Sequence, residues 1–116
     1  CGIMKKRNAE RGMCMLPKKK FAMLLMDAGY CSKKDYAVLE TDAVETHIMT
    51  VNTPEQAVAL AKDLSQQGFG AIEVCGAFGE ELARRMFEAT GKQVSVGYVT
   101  CPQDEKQLSD HFWSQQ

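Results

Sequence analysis

The chain has 116 residues, of which 45% are hydrophobic and 25% charged, and this composition is typical of one globular domain and excludes a wholly disordered chain. No apolar run is long enough to cross a bilayer and no signal-peptide pattern is found, so we expect a cytoplasmic protein. The net charge of -1 hides an asymmetry, because residues 1–20 are strongly basic whereas the rest of the chain is acidic.

This asymmetry predicts a basic, flexible arm over residues 1–19 and a single domain over residues 20–116. An acidic domain disfavours binding to nucleic acid or to an anionic membrane, so only the arm is a candidate for nucleic-acid contact. The five cysteines contain no C-x-x-C pair, which is typical of reduced thiols rather than of a disulfide framework or a zinc site. We predict neither a metal nor a cofactor.

The first predicted strand is the apolar run over residues 20–26 (KFAMLLM), a pattern typical of strands that are buried on both faces. A turn follows at 27–30. Ser32 is a candidate cap for a short helix that could continue to residue 40, but residues 36–40 alternate enough to form an extended segment instead. Residues 46–51 form the second predicted strand.

The clearest local signal is the start of a helix at Thr53. Its hydroxyl can cap the helix, Pro54 suits the first helical position, and Gln56 can satisfy a further free amide. Gly68 ends this helix, because glycine readily adopts the left-handed cap conformation. The remaining predicted elements are a strand over 71–75, a helix over 80–90, a strand over 93–99 and a short helix over 104–113.

Strands and helices that alternate at these lengths are typical of right-handed crossovers in a parallel sheet. We therefore predict an α/β fold with a four-stranded, mainly parallel sheet in the order 2-1-3-4. Helices would cover both faces, in a three-layer arrangement of the flavodoxin-like or half-Rossmann kind. Such a sheet leaves its edge strands exposed, which favours a homodimer that forms through Trp113 and its neighbours.

Open parallel sheets bind ligands beyond the carboxyl ends of their strands. The loop from Gly76 to Gly79 lies at that edge and leads directly into a helix, so its backbone amides could hold an anionic ligand. The alternative is a tight turn that needs glycine only for its backbone geometry. The predicted small-molecule site consists of Gly29, Tyr30, Cys75, Gly76, Phe78 and Gly79.

Two other interpretations remain open. Cys31, Cys75 and Cys101 are predicted at the same edge, and facing thiols could act as acid and base or one could act as a nucleophile. Cys75 and Glu73 are thus the candidate catalytic residues of a cofactor-independent isomerase or lyase, although core packing is the ordinary explanation for such cysteines. In the third interpretation, the protein is an interaction module without a pocket.

Four stretches of sequence carry a resemblance to a known family: FAMLLMDAGY (21–30), AVLET (37–41), TPEQAV (53–58) and AIEVCGAFG (71–79). Over about residues 21–101 the chain resembles a small bacterial and archaeal family of unknown function. Its most specific motif, E-x-C-G-x-F-G, is matched by Glu73, Cys75, Gly76, Phe78 and Gly79. Cys31 departs from the pattern, which argues against a role for that thiol. The resemblance implies the fold and the loop but no reaction.

Overall fold

The computed structural model describes residues 18–115, which form five strands and three α-helices. The predicted basic arm lies outside these residues except for its last two, and β1 begins at Lys19. The elements are β1 (Lys19–Met26), β2 (Ala37–Glu40), β3 (Val44–Val51), α1 (Pro54–Gln66), β4 (Ala71–Val74), α2 (Gly79–Ala89), β5 (Ser95–Tyr98) and α3 (Lys106–Ser114), with a 3-10 turn (Gln103–Glu105) before α3.

The sheet has the strand order β2-β3-β1-β4-β5. The central strand β1 pairs in parallel with β3 and β4, and β4 pairs in parallel with β5. The α/β class and the mainly parallel sheet are therefore confirmed. The predicted count of four strands, and with it the order of the whole sheet, was wrong, because β2 adds an antiparallel edge strand outside β3. The four predicted strands themselves lie side by side as β3-β1-β4-β5.

The segment between β1 and β3 contains no helix. The backbone amide of Cys31 donates to Asp35 Oδ2 at 2.7 Å, and the amide of Asp35 donates to the carbonyl of Cys31 at 2.7 Å, so this stretch closes as a turn. The helix predicted from Ser32 was therefore wrong, and the extended alternative for residues 36–40 is confirmed as β2. Thr41 Oγ1 accepts from the amide of Val44 at 3.1 Å and fixes the tight link into β3.

The helix after β3 forms as predicted. Thr53 caps α1 by accepting the amide of Gln56 on its hydroxyl at 3.2 Å, Pro54 is the first helical residue, and Gly68 takes a φ of 88° just beyond the end of the helix. The cap satisfies one of the amides that have no partner within the first turn. Local chemistry alone therefore fixes where this helix starts and stops.

The helices α1 and α2 pack against each other on one face of the sheet. Both crossovers, from β3 to β4 and from β4 to β5, run in the same direction across the sheet, so right-handedness places both helices on the same side. The two helix layers that we predicted were therefore wrong for the described residues. The largest fully buried side chains between sheet and helices are Leu24, Leu64, Ile72, Val74 and Met86.

This one-sided core decides which strand residues are buried. In β1, Ala22 and Leu24 face the helices and are fully buried, whereas Phe21, Met23 and Leu25 point to the other face and stay half-buried. Alternation along a strand sends successive side chains to opposite faces. None of the helices in the described part of the chain has the length and apolar character that would let it span a membrane.

Candidate functional site

The parallel strands bring several loops together. Because β3, β1, β4 and β5 run in one direction, the segments that follow them leave the sheet at the same edge. These segments are residues 52–53, 27–30, 75–78 and 99–102. The loops after β1 and β4 belong to adjacent strands, and they contain five of the six predicted ligand residues; the sixth, Gly79, is the first residue of α2. Whether those six residues bind a ligand stays a prediction.

Asn52 holds the loop after β1. Its side-chain amide donates to the carbonyl oxygens of Asp27 at 3.0 Å, Ala28 at 3.3 Å and Tyr30 at 2.5 Å. Its own backbone amide donates to Gln56 Oε1 at 2.7 Å, which links the clamp to the first turn of α1. Asn52 therefore ties the ends of β1 and β3 together. Sequence reasoning missed this residue, although its place directly before a helix cap was a signal.

The two glycines of the loop after β4 differ in what they require. Gly79 has a φ of 77°, a conformation that disfavours any residue with a Cβ. Gly76 has no such φ, and a Cβ added there would lie 3.9 Å from the carbonyl oxygen of Val99, an ordinary contact. Backbone geometry thus explains the glycine at 79 but not the glycine at 76.

The rest of this loop is built into the fold. The amide of Cys75 donates to the carbonyl of Leu24 at 3.0 Å, which extends the pairing of β4 with β1. Phe78 is buried with 6% of its surface exposed, and it stands at the helix cap position without a capping side chain. Its ring therefore packs in the hydrophobic core. Glu80 and Glu81 occupy the first turn of α2, where their charge disfavours a bound anion.

The candidate catalytic residues lie in different surroundings. Glu73 is exposed in the middle of β4, on the sheet face away from the helices, next to Met23 and Gly97 in the neighbouring strands. Cys75 is half-buried at the carboxyl edge. Among residues 18–115, no group of three His, Cys, Asp or Glu side chains is arranged to hold a metal ion. The catalytic role of Cys75 or Glu73 stays a prediction.

A groove runs between α1 and the outer part of the sheet. Strand β2 pairs only with the first part of β3, so the end of β3 is open on that side, and the turn before β2 forms the opposite wall. The groove has a volume of about 600 Å³. We call it the α1 groove, and its lining residues are Ser32, Tyr36, Met49, Thr50, Val51, Gln56, Ala59, Leu60 and Asp63.

The chemistry of the α1 groove is mixed. Apolar side chains from β3 and α1 supply part of the lining, with Met49, Val51 and Leu60 as the largest. Hydroxyl groups come from Ser32 and Tyr36, and the ring of Tyr36 is 62% exposed. Ligand sites in proteins usually have this volume range and this combination of apolar walls with a few polar groups.

A second, smaller groove lies at the other end of the helix layer. It has a volume of about 210 Å³ between α2 and β5, and its polar groups come from Glu80, Arg84, Ser95 and Tyr98. None of the six predicted ligand residues lines either of these two grooves. The sequence could not reveal the grooves, because both depend on how far the helices extend over the strands.

Comparison with known proteins identifies a family. The model of a family of unknown function, DUF6506, matches residues 19–114, which is nearly the whole of the described chain. Neither a curated protein nor a solved structure matches the sequence.

Proposed function

We propose that this chain, which belongs to the DUF6506 family of unknown function, binds a small molecule in the α1 groove. The observation that carries the proposal is the groove itself, with a volume of about 600 Å³, an apolar lining from two elements and several hydrogen-bonding groups. Volumes of this size suit a metabolite rather than a macromolecule. The site adjoins the carboxyl edge at which we expected a ligand, but on the side of β3 rather than at the loop after β4.

The lining favours a neutral or cationic ligand. Asp63 is the only charged residue among the lining residues, and no lysine or arginine is present to hold a carboxylate or a phosphate. An apolar part of the ligand would rest on Met49 and Leu60, and a hydroxyl or amine would reach Ser32 or Tyr36. Cys31, Cys75 and Cys101 are free thiols, which favours a reducing compartment such as the cytoplasm.

A thermal-shift screen of metabolites with two matched variants tests this proposal. Ala59 is exposed on α1 and lines the groove, so Ala59→Phe fills the site without disturbing the core. Lys62→Phe places the same ring on the same helix at an exposed position outside the lining. We expect a neutral or cationic compound to raise the melting temperature of the wild type and of Lys62→Phe, but not of Ala59→Phe.

Two results would contradict the proposal. One is a screen in which no neutral or cationic compound stabilises the wild type. The other is a compound whose effect survives Ala59→Phe but disappears in Gly76→Val, because that compound would bind at the loop after β4. The second result would instead support the site predicted around Cys75 and Gly76.

A further inference from the structure

Within the described part of the chain, one face of the sheet is largely apolar at its centre but has no helix layer on it. Both α1 and α2 pack on the opposite face, through the core that contains Leu24 and Ile72. The uncovered side, which we call the open face, is formed in its centre by Phe21, Met23 and Leu25 of β1, together with Ile48 of β3 and Glu73 of β4. Its four apolar side chains are only half-buried. A sheet normally buries such a face against another layer.

The helix α3 is amphipathic, but its apolar side chains have no element to pack against in the described part of the chain. It buries none of its residues, and it leaves Leu108, Phe112 and Trp113 exposed at 76%, 63% and 78%. The rings of Phe112 and Trp113 touch edge to face, with centroids 4.9 Å apart, so they present one joint surface. An amphipathic helix gains most of its stability by packing its apolar side against another element. This one therefore lacks a partner within the described chain.

We propose that the chain forms a homodimer in which α3 of each copy packs on the open face of the other. The same chain carries both the uncovered sheet face and the unpartnered helix, so a two-fold axis makes each contact twice. Each copy then gains the missing layer of its sheet. The dimer surface is on the side of the sheet opposite to α1 and α2, so this proposal is independent of the α1 groove.

The area agrees with a stable dimer. Buried aromatic side chains remove about 150–250 Å² each from water, so Phe112 and Trp113 together supply about 300 Å², and Leu108 adds to this value. The open face loses a comparable area under the incoming helix. Because each copy contributes both a helix and a face, the total reaches about 800 Å² per partner, the usual size of a specific interface. A contact made only once would fall well short of it.

Trp113 provides a direct measurement, because it is the only tryptophan of the chain. In the dimer its ring is covered, so its fluorescence should shift to shorter wavelength and resist acrylamide quenching as the protein concentration rises. Light scattering should give the mass of two chains over the same range. A monomer at all concentrations would overturn the proposal, whether Trp113 is then protected by its own sheet or not.

Charge substitutions locate the two surfaces. Ala71 lies beside Phe21 on the open face. Trp113→Glu on the helix and Ala71→Glu on the open face should each raise the dissociation constant at least about 100-fold, because each places a charge in both symmetric contacts. Gln107→Glu adds the same charge to a different side of α3 and should leave the dimer unchanged. If Gln107→Glu dissociates the dimer as strongly as Trp113→Glu, the apolar stripe is not the interface.

A mixture of Trp113→Glu and Ala71→Glu distinguishes a dimer in which α3 of each copy packs on the open face of the other from a dimer with a different interface. In the mixed dimer, the native helix of Ala71→Glu meets the native face of Trp113→Glu, so one of the two contacts is intact. We therefore expect mixing to restore part of the dimer that each variant alone has lost. No restoration, with both variants folded by circular dichroism, would contradict the exchange. If Ala71→Glu does not fold, Ala37→Glu, at an exposed position of β2 beside Ile48 of the open face, takes its place in the mixture.

Discussion

Replacement of Asn52 by alanine tests whether the carboxyl edge is held by one side chain. The amide of Asn52 contacts three carbonyl oxygens of the loop after β1, at 2.5, 3.0 and 3.3 Å. It has only two N–H groups, so at most two of these hydrogen bonds are fully formed at once. Each contributes about 0.5–1.5 kcal/mol, and the exposed carbonyls of Asp27 and Ala28 can turn to water. We therefore expect a loss of about 1–2 kcal/mol.

For a domain of this size, such a loss lowers the melting temperature by about 5–15 °C. Urea unfolding followed by circular dichroism gives the free energy, and hydrogen exchange of the peptide over residues 27–35 gives the local effect. Gln56→Ala is the control, because it removes the hydrogen bond to the backbone amide of Asn52 but leaves the side-chain clamp intact. The rate of amide hydrogen exchange over residues 27–35 should rise in Asn52→Ala and not in Gln56→Ala.

The clamp would be refuted by either of two results. The first is an Asn52→Ala variant that unfolds within about 0.3 kcal/mol of the wild type, which is less than one net hydrogen bond. The second is equal exchange over 27–35 in both variants. In that case the ends of β1 and β3 are held by strand pairing alone.

Three further predictions concern stability and are measured by urea unfolding. Thr53→Ala should cost about 1 kcal/mol because the α1 cap is lost, and Thr53→Ser should recover most of it; an unaffected Thr53→Ala would mean that the cap is replaced by water. Leu64→Ala should cost about 2–5 kcal/mol because Leu64 is 1% exposed, and a cost under about 1 kcal/mol would contradict its place in the core. Gly79→Ala should lower the free energy of unfolding by about 1–2 kcal/mol because the φ of Gly79 is 77°. Gly70 has open space around it and no such φ, so Gly70→Ala should change the free energy of unfolding by less than about 0.5 kcal/mol. Equal effects of the two substitutions would contradict the strain argument.

Where local chemistry decides, the sequence predicted the fold well. The ends of α1 follow from Thr53, Pro54 and Gly68, and the central strand follows from the uninterrupted apolar run at 21–26. These signals are contained in a few neighbouring residues, and no distant contact is needed to interpret them. The α/β class follows from the alternation of such elements along the chain.

The sequence failed where distant contacts decide. β2 has only four residues, and its extended form depends on pairing with β3 rather than on its own propensity. The predicted second helix layer required a helix between β1 and β3, and that segment forms a turn and the edge strand β2 instead. The α1 groove could not be predicted for the same reason, because it lies where β2 and α1 diverge. The loop after β4 was predictable as a turn, but not whether it binds anything.

The position of β1 also has a consequence for synthesis on the ribosome. Among the described strands, the first to emerge is the middle of the sheet, and its partners β3 and β4 follow up to residue 74. Until then the nascent chain exposes at least one edge of an apolar segment of the kind that forms intermolecular β-structure. Lys19 and Lys20 at its start supply charge that discourages such pairing. The pairing of β1 on both sides is therefore expected to be complete only after residue 74 has been translated.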